Sequence, residues 1–280
     1  MKAAILDKEQ VIETPATMPE WGEIRAGSLG VHIASSREEI EAAQVLRYRI
    51  FYEETGGSPP PEIKALKRDF DVFDDYCDHL LVLDYATGTR QVVGTYRLLR
   101  RNATRVLNRF YSEGEFDISA IKQEKGEILE LGRSCVDVNY RNRAVMQLLW
   151  RGIAAYVSLH DIKVMFGCAS FMGNDVEAHT MALSYLHHFH LAPTELRAEA
   201  LPDQYVEMDR MPLETIDKKE SFANLPALIK GYLRLGGFIG HGAVIDRHCN
   251  LIDVGIVVKT ALITDKYAQR YNTPATRRGE

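Results

Sequence analysis

Apolar positions along the chain switch between strand-like runs and helix-like spacing, and the order of these blocks predicts the fold. Residues 7–27 are rich in Pro, Glu and Thr without an apolar period, which predicts a mobile arm over residues 1–27. A first strand is expected at Leu29–Ala34. Ser36-Arg37-Glu38-Glu39 is a capping box followed by Ile40, Ala43, Ile50 and Phe51 at helical spacing, so a helix is expected from Arg37 to Glu54. Arg47 falls on the apolar stripe of that helix, where burial demands a carboxylate or phosphate partner unless the side chain snorkels to water.

An acidic run, Asp69, Asp71, Asp74, Asp75 and Asp78, leads into a strand at His79–Asp84, and Thr87-Gly88-Thr89 turns the chain back into Gln91–Leu99 as a hairpin. Strands are expected at Glu127–Val136 and Lys163–Ala169, with a helix near Ala144–Leu159 between them and another after Asn174-Asp175-Val176-Glu177. The tail predicts a short strand at Tyr205–Met208, a helix at Ala223–Leu235, strands around Phe238–Ile245 and Asp253–Lys259, and a closing helix near Ala261–Arg270. The order β-α-β-β-β-α-β-α implies an α/β fold of the α+β kind, a mixed sheet with helices packed against it. Nothing punctuates the chain strongly, so one domain is expected over residues 28–272, with 273–280 as a tail.

Composition narrows the function classes. The 280 residues are 46% hydrophobic and 26% charged, as in an ordinary soluble globular protein. Net charge is 34 minus 39, or −5, which argues against nucleic acid as a partner. Four dispersed cysteines without a C-x-x-C pair predict neither disulfides nor a metal site. The N-terminus lacks the apolar run of a secretory signal and no segment has the composition of a bilayer span, so a cytoplasmic protein is expected. Two groups of arginines, Arg97, Arg100, Arg101, Arg105 and Arg109, then Arg133, Arg141, Arg143 and Arg151, suit an acidic partner or phosphate groups, or are solvated faces.

Among candidate reactive groups, His79 and Asp84 lie five apart on a strand and point to opposite faces, so their spacing is an accident. His179, His187, His188 and His190 match no metal-binding helix motif, and Gly236, Gly237, Gly240 and Gly242 match no nucleotide-binding loop. Cys135 and Cys168 sit in apolar strands and are expected to be inert. Glu130-Leu131-Gly132-Arg133 differs from these. It places a carboxylate and a guanidinium in an apolar strand, where both must be partnered or serve a cleft, and Gly132 suits a β-bulge that turns them to one side. Asn139 to Met146 then open a helix whose free amides, with Arg141 and Arg143 beside them, favour a phosphate.

That strand, basic turn and helix resemble the acyl-donor loop of the GNAT (Gcn5-related N-acetyltransferase) superfamily, with Ala144 and Met146 at its glycine positions. The departure favours a carrier-protein donor over coenzyme A. Leu46 to Glu54, Cys77 to Val82, Val93 to Arg100, Glu130 to Asp137, Phe166 to Phe171, Leu228 to Gly237 and Val257 to Thr260, taken in order, resemble the bacterial ornithine Nα-acyltransferases over roughly residues 30–270. The first four also resemble acyl-homoserine-lactone synthases.

The resemblance implies a GNAT-like sheet with a C-terminal extension and transfer of a 3-hydroxy fatty acyl group from acyl carrier protein to the α-amine of ornithine, giving a lyso-ornithine lipid. The alternatives it leaves are another amino acid, such as glutamine or glycine, and a lactone-synthase-like reaction. No cofactor is expected to stay bound; the acyl-phosphopantetheine of the carrier protein is the donor. Residue by residue it points to Glu130 and Arg133 for catalysis and to Arg47, Phe51, Asp75, Asp78 and Arg97 for substrate binding. Val136, Val138, Arg141, Arg143 and Ala144 are expected at the acyl donor. An apolar product predicts peripheral contact with the inner membrane face, expected at the stripe of Leu225, Leu228, Ile229, Tyr232, Leu233 and Leu235.

Overall fold

The computed structural model describes residues 22–86 and 88–263. Its strands are β1 (Ile24–Ala26), β2 (Leu29–Ile33), β3 (Asp78–Asp84), β4 (Gln91–Arg100), β5 (Phe116–Asp117), β6 (Glu127–Val136), β7 (Ile162–Met172), β8 (Glu199–Ala200), β9 (Phe238–Asp246) and β10 (Leu251–Lys259). They form one sheet in the order β1-β2-β3-β4-β6-β7-β10-β9-β8-β5. The helices are α1 (Arg37–Tyr48), α2 (Pro61–Leu66), α3 (Thr104–Leu107), α4 (Ser119–Lys122), α5 (Arg143–Leu159), α6 (Thr180–His190), α7 (Lys218–Asn224) and α8 (Ala227–Arg234).

The central strands are apolar on both faces because both faces are covered. On β3, Leu80 and Val82 join the core beneath α5 with Leu149 and Ile153, while Leu81 and Leu83 join Ala43 and Leu46 of α1, and Ile50 just after it, on the opposite face. Burying a Leu or Ile side chain contributes about 1.5–3 kcal/mol. Alternate residues of one strand therefore anchor two helices.

Several expectations need correction. Residues 24–26 of the presumed arm pair with β2 as an edge strand, whereas residues 1–21 lie outside the described residues. The helix expected from Arg37 to Glu54 is α-helical only to Tyr48 and continues as a π-helical turn over Arg49–Glu54. The helix expected at Ala223–Leu235 is two helices. Leu225 is extended (φ −63°, ψ 149°) because Pro226 follows it and disfavours helical geometry there. Tyr205–Met208 contributes only an isolated bridge, Val206 to Ala243. Of the closing helix, Thr260–Leu262 is a short 3-10 turn and the remainder from 264 lies outside the described residues. The apolar stripe expected at a membrane faces inward, with Leu225, Ile229, Tyr232 and Leu235 buried and Leu228 and Leu233 packed against the same core. Its pattern records packing beneath the sheet. No helix among the described residues is long and apolar enough to cross a membrane.

Candidate active site

Strands β6 and β7 run parallel, but their ladder covers only Glu127–Glu130 against Ile162–Phe166. Both strands continue for several residues beyond it, to Val136 and Met172, and β7 pairs with β10 along that length. Gly167 stands at the parting, where a side-chain Cβ would lie 2.2 Å from the Leu131 carbonyl oxygen. A glycine is thus required for the strands to come this close before they separate. The gap opens a cleft enclosing about 620 Å³ of space continuous with solvent, lined among others by Phe51, Tyr111, Glu115, Glu130, Arg133 and Asp253.

The expected bulge is present on β6. Thr95 faces Cys135 and Arg97 faces Gly132, so Arg133 and Ser134 together face the single residue Tyr96. Arg133, rather than Gly132, takes the left-handed backbone (φ 49°). With the bulge, Glu130 and Arg133 line the same cleft although they stand three residues apart, a spacing that in an uninterrupted strand sends side chains to opposite faces.

Arg133 is held by charge and by rings. Its guanidinium lies 4.8 Å from the centre of the Tyr111 ring and 5.8 Å from that of Phe51, with Asp69 at 3.5 Å and Asp71 at 3.6 Å. Burial works against its charge, but Asp69 and the other nearby anions more than offset it and hold the group protonated. Its Nε has no hydrogen-bond partner.

The carboxyl of Glu130 is almost fully buried, and burial raises its pKa despite opposing hydrogen bonds. Oε1 accepts from Ser112 N at 2.6 Å and from the Ser112 hydroxyl, and Oε2 accepts from Tyr111 N at 2.8 Å. A carboxylate offers about four lone-pair sites, so one on Oε2 stays open. These bonds fasten the 3-10 turn Tyr111–Gly114, which delivers Glu115 to the cleft wall.

Arg47 is fully buried and carboxylates meet it, as its place on the apolar stripe requires. Its Nε donates to Asp69 at 2.8 Å, and Nη1 and Nη2 donate to Asp74 at 3.0 and 2.8 Å. Arg97 Nη1 donates to Asp71 at 2.7 Å and to Asp74 at 3.2 Å. Although burial opposes it, Arg47 holds the Asp74 carboxyl far below the usual range. The acids brought to Arg47 and Arg97 are therefore Asp69, Asp71 and Asp74, while Asp75 and Asp78, expected at the substrate, lie outside this cluster. Asp75 is exposed. Asp78 accepts from the Tyr156 hydroxyl at 2.5 Å and lies 3.7 Å from Arg100, as its position at the start of β3 dictates.

The donor side is mixed. Gly94 faces Val136 while Asp137 N donates to the Val93 carbonyl at 2.9 Å, so the Val136 N–H points away from β4, toward the side where β7 has parted. Val138 is 59% exposed. Arg141, Arg143 and Ala144 are exposed at the start of α5, with Arg141 bound to Glu54 and, at 3.1 Å, to the Val136 carbonyl. The helix amides expected to meet a phosphate are occupied, since the Asn142 side chain accepts from Ala144 N at 2.9 Å and Val145 N at 3.3 Å. Burial pushes the Cys135 thiol up to about 12 and Cys168 well above its ordinary value, which disfavours both as nucleophiles. Among the described residues no group of His, Cys, Asp or Glu side chains is arranged to hold a metal ion.

Sequence reasoning missed Glu115, Asp246 and Asp253. Asp253 carried the same signal as Glu130, an acid inside an apolar strand, whereas Glu115 sits in a turn where no periodicity marks it.

Comparison with known proteins bears on the family. Residues 46–151 match the acetyltransferase (GNAT) domain. The chain is 45% identical over 258 residues to the L-ornithine Nα-acyltransferase of Agrobacterium fabrum, covering 90% of this chain and 88% of that one. It is equally similar to the enzyme of that name from Brucella abortus, with 90% and 92% covered. Among solved structures, an N-acyl amino acid synthase from uncultured soil microbes superposes with a TM-score of 0.45 at 10% identity, over 83% of this chain and 91% of that one. The 45% identity to these enzymes over nine-tenths of the chain, with the matched GNAT domain, leads to one assignment: it is an acyltransferase and belongs to the L-ornithine Nα-acyltransferase family.

Proposed function

We propose that the chain transfers a 3-hydroxy fatty acyl group from acyl carrier protein to the α-amine of L-ornithine, giving a lyso-ornithine lipid. The observation that carries this reading is the cleft between β6 and β7, which has Glu130 and Arg133 on one wall. The names of the relatives supply the acceptor.

An α-amine with an ordinary pKa of about 8 is partly protonated at neutral pH, so attack on a thioester needs a proton acceptor. Glu130 fills that role through the free site on Oε2, directly or by way of one water, and burial keeps its basicity raised. The amine attacks the acyl carbon, the C–S bond breaks, and the thiol of the carrier's phosphopantetheine leaves with a proton. The Val136 N–H polarises the thioester carbonyl, as backbone donors do in other acyl transfers. Arg133, rigidly stacked in the cleft, takes the acceptor's α-carboxylate. The exposed Arg141 and Arg143 meet the acidic carrier protein.

Incubating the pure protein with 3-hydroxyacyl carrier protein and a panel of amino acids, followed by mass spectrometry, tests the reading. N-acyl ornithine is the expected product. Glu130→Gln should lower kcat by roughly 10²–10⁴-fold in a folded protein. An unchanged rate removes Glu130 from the proton transfer.

A further inference from the structure

Four carboxylates line the cleft, Glu115, Glu130, Asp246 and Asp253, against the single cation Arg133. Arg133 is already matched by Asp69 and Asp71, and Glu130 by the Tyr111–Ser112 turn. The remaining three carboxylates have no ion pair among the described residues. Glu115 Oε2 accepts from the Cys168 thiol at 3.3 Å, and Asp246 Oδ1 accepts from His248 N at 2.8 Å and Cys249 N at 3.0 Å.

Asp253 carries the argument furthest. It is 5% exposed, yet its one hydrogen bond comes from the Ser170 hydroxyl to Oδ1, and Oδ2 takes none. Burial and then Asp253 push Glu115 up to about 8; burial together with Asp246 pushes Asp253 up to about 6. Packing alone gives no reason to keep this arrangement, because a buried carboxylate without a cation costs free energy that an amide of the same shape would not. It becomes favourable when a cation enters.

We propose that Glu115, Asp246 and Asp253 form the subsite for the distal ammonium of a diamino-acid acceptor, so that this chain selects its acceptor by the charge at the end of the side chain. The inference rests on the acyl-transfer reading above and deepens it by naming the specificity-determining groups. An acceptor with an uncharged side chain leaves the carboxylates desolvated and unpaired, and a site built around a polar partner discriminates strongly against its absence. A longer or shorter diamino acid misplaces the cation and loses part of the gain.

The test is steady-state kinetics on the full chain with 3-hydroxyacyl carrier protein, comparing ornithine with norvaline, which lacks only the δ-amine. Wild type should favour ornithine in kcat/KM by roughly 10²-fold or more. Asp253→Asn and Glu115→Gln should each raise KM for ornithine by about 10-fold or more and lower KM for norvaline, because an amide in place of the carboxylate no longer leaves a charge unpaired against an apolar side chain. A second measurement needs no variant. On wild type, KM for ornithine should fall from pH 6 to pH 8 more steeply than KM for norvaline, because only the diamino acid meets carboxylates losing their protons. Equal losses for both acceptors, or parallel pH profiles, overturn the inference and leave the acyl-transfer reading standing. A wild type that ignores ornithine and acylates glutamine or glycine overturns the reading beneath it.

Discussion

Two groups of buried charge lie within reach of Arg133, and they are built on opposite terms. In the first, Arg47, Arg97 and Arg133 meet Asp69, Asp71 and Asp74 through hydrogen bonds and ion pairs, and every carboxylate has a cation. In the second, Glu115, Asp246 and Asp253 line an open cleft with no ion pair among the described residues. A closed set of charges ties α1, the loop before β3, β4 and β6 to one another, so it serves the fold and holds Arg133 in place at the cleft wall. The set left uncompensated serves whatever enters.

The largest effect should come from breaking the first group. Arg47→Met leaves Asp69 and Asp74 buried without their main partner, which should cost about 3–5 kcal/mol. A melting temperature lower by roughly 10 °C, read by calorimetry, is the corresponding shift. A variant as stable as wild type would show that the network carries no stabilisation.

The two groups should also respond to pH with opposite signs. Asp69 and Asp74 have lowered pKa values, so their stabilisation is present above the unfolded carboxylate range and is lost on acidification through the folded values. Glu115 and Asp253 have raised values, so the folded chain binds more protons than the unfolded one between about pH 4 and pH 8. Their contribution is greatest below that window and falls as pH rises through it. Melting temperature should therefore decline from pH 5 to pH 8, and Asp253→Asn should flatten the decline and stabilise the ligand-free chain at pH 8 by on the order of 2 kcal/mol. A variant destabilised at pH 8 would place Asp253 with the structural group.

The smallest effect on the fold belongs to a third, exposed set. Arg141→Glu with Arg143→Glu should change stability by under about 1 kcal/mol, because the Arg141–Glu54 pair is solvated. The same pair of changes should weaken carrier-protein binding and flatten its salt dependence. Equal affinity at low salt for variant and wild type, measured by calorimetric titration, would contradict this.

Much of the fold was legible where one physical term dominates. The boundaries of β6 coincide with those expected, because an apolar run ended by Asp137 leaves little freedom. Arg47 declared its need for a partner by lying on the apolar stripe of α1. Which acid would answer was not legible, since five aspartates within ten residues fit the spacing equally and only the loop geometry selects Asp69 and Asp74. The Asn142 cap escaped notice for a related reason. The turn looked like a phosphate site by its arginines, while an asparagine two residues before Ala144 had already filled the amides. At Pro226, sustained helical periodicity hid a break that the backbone chemistry of proline enforces.

The extra residue on β6 has a consequence best put as counting. Before it, Ile128 packs on the cleft face and Leu129 and Leu131 on the α5 face; after it, Cys135 is on the cleft face and Val136 on the α5 face. Even numbers face the cleft upstream, and odd numbers downstream. If one residue were removed between Glu130 and Arg133, alternation alone would still keep both on the cleft face, but closer together by one strand step, about 3.3 Å. The bulge therefore acts as a spacer. It sets how far apart the Glu130 carboxyl and a fixed guanidinium stand along one wall, and so the length of molecule that fits between them.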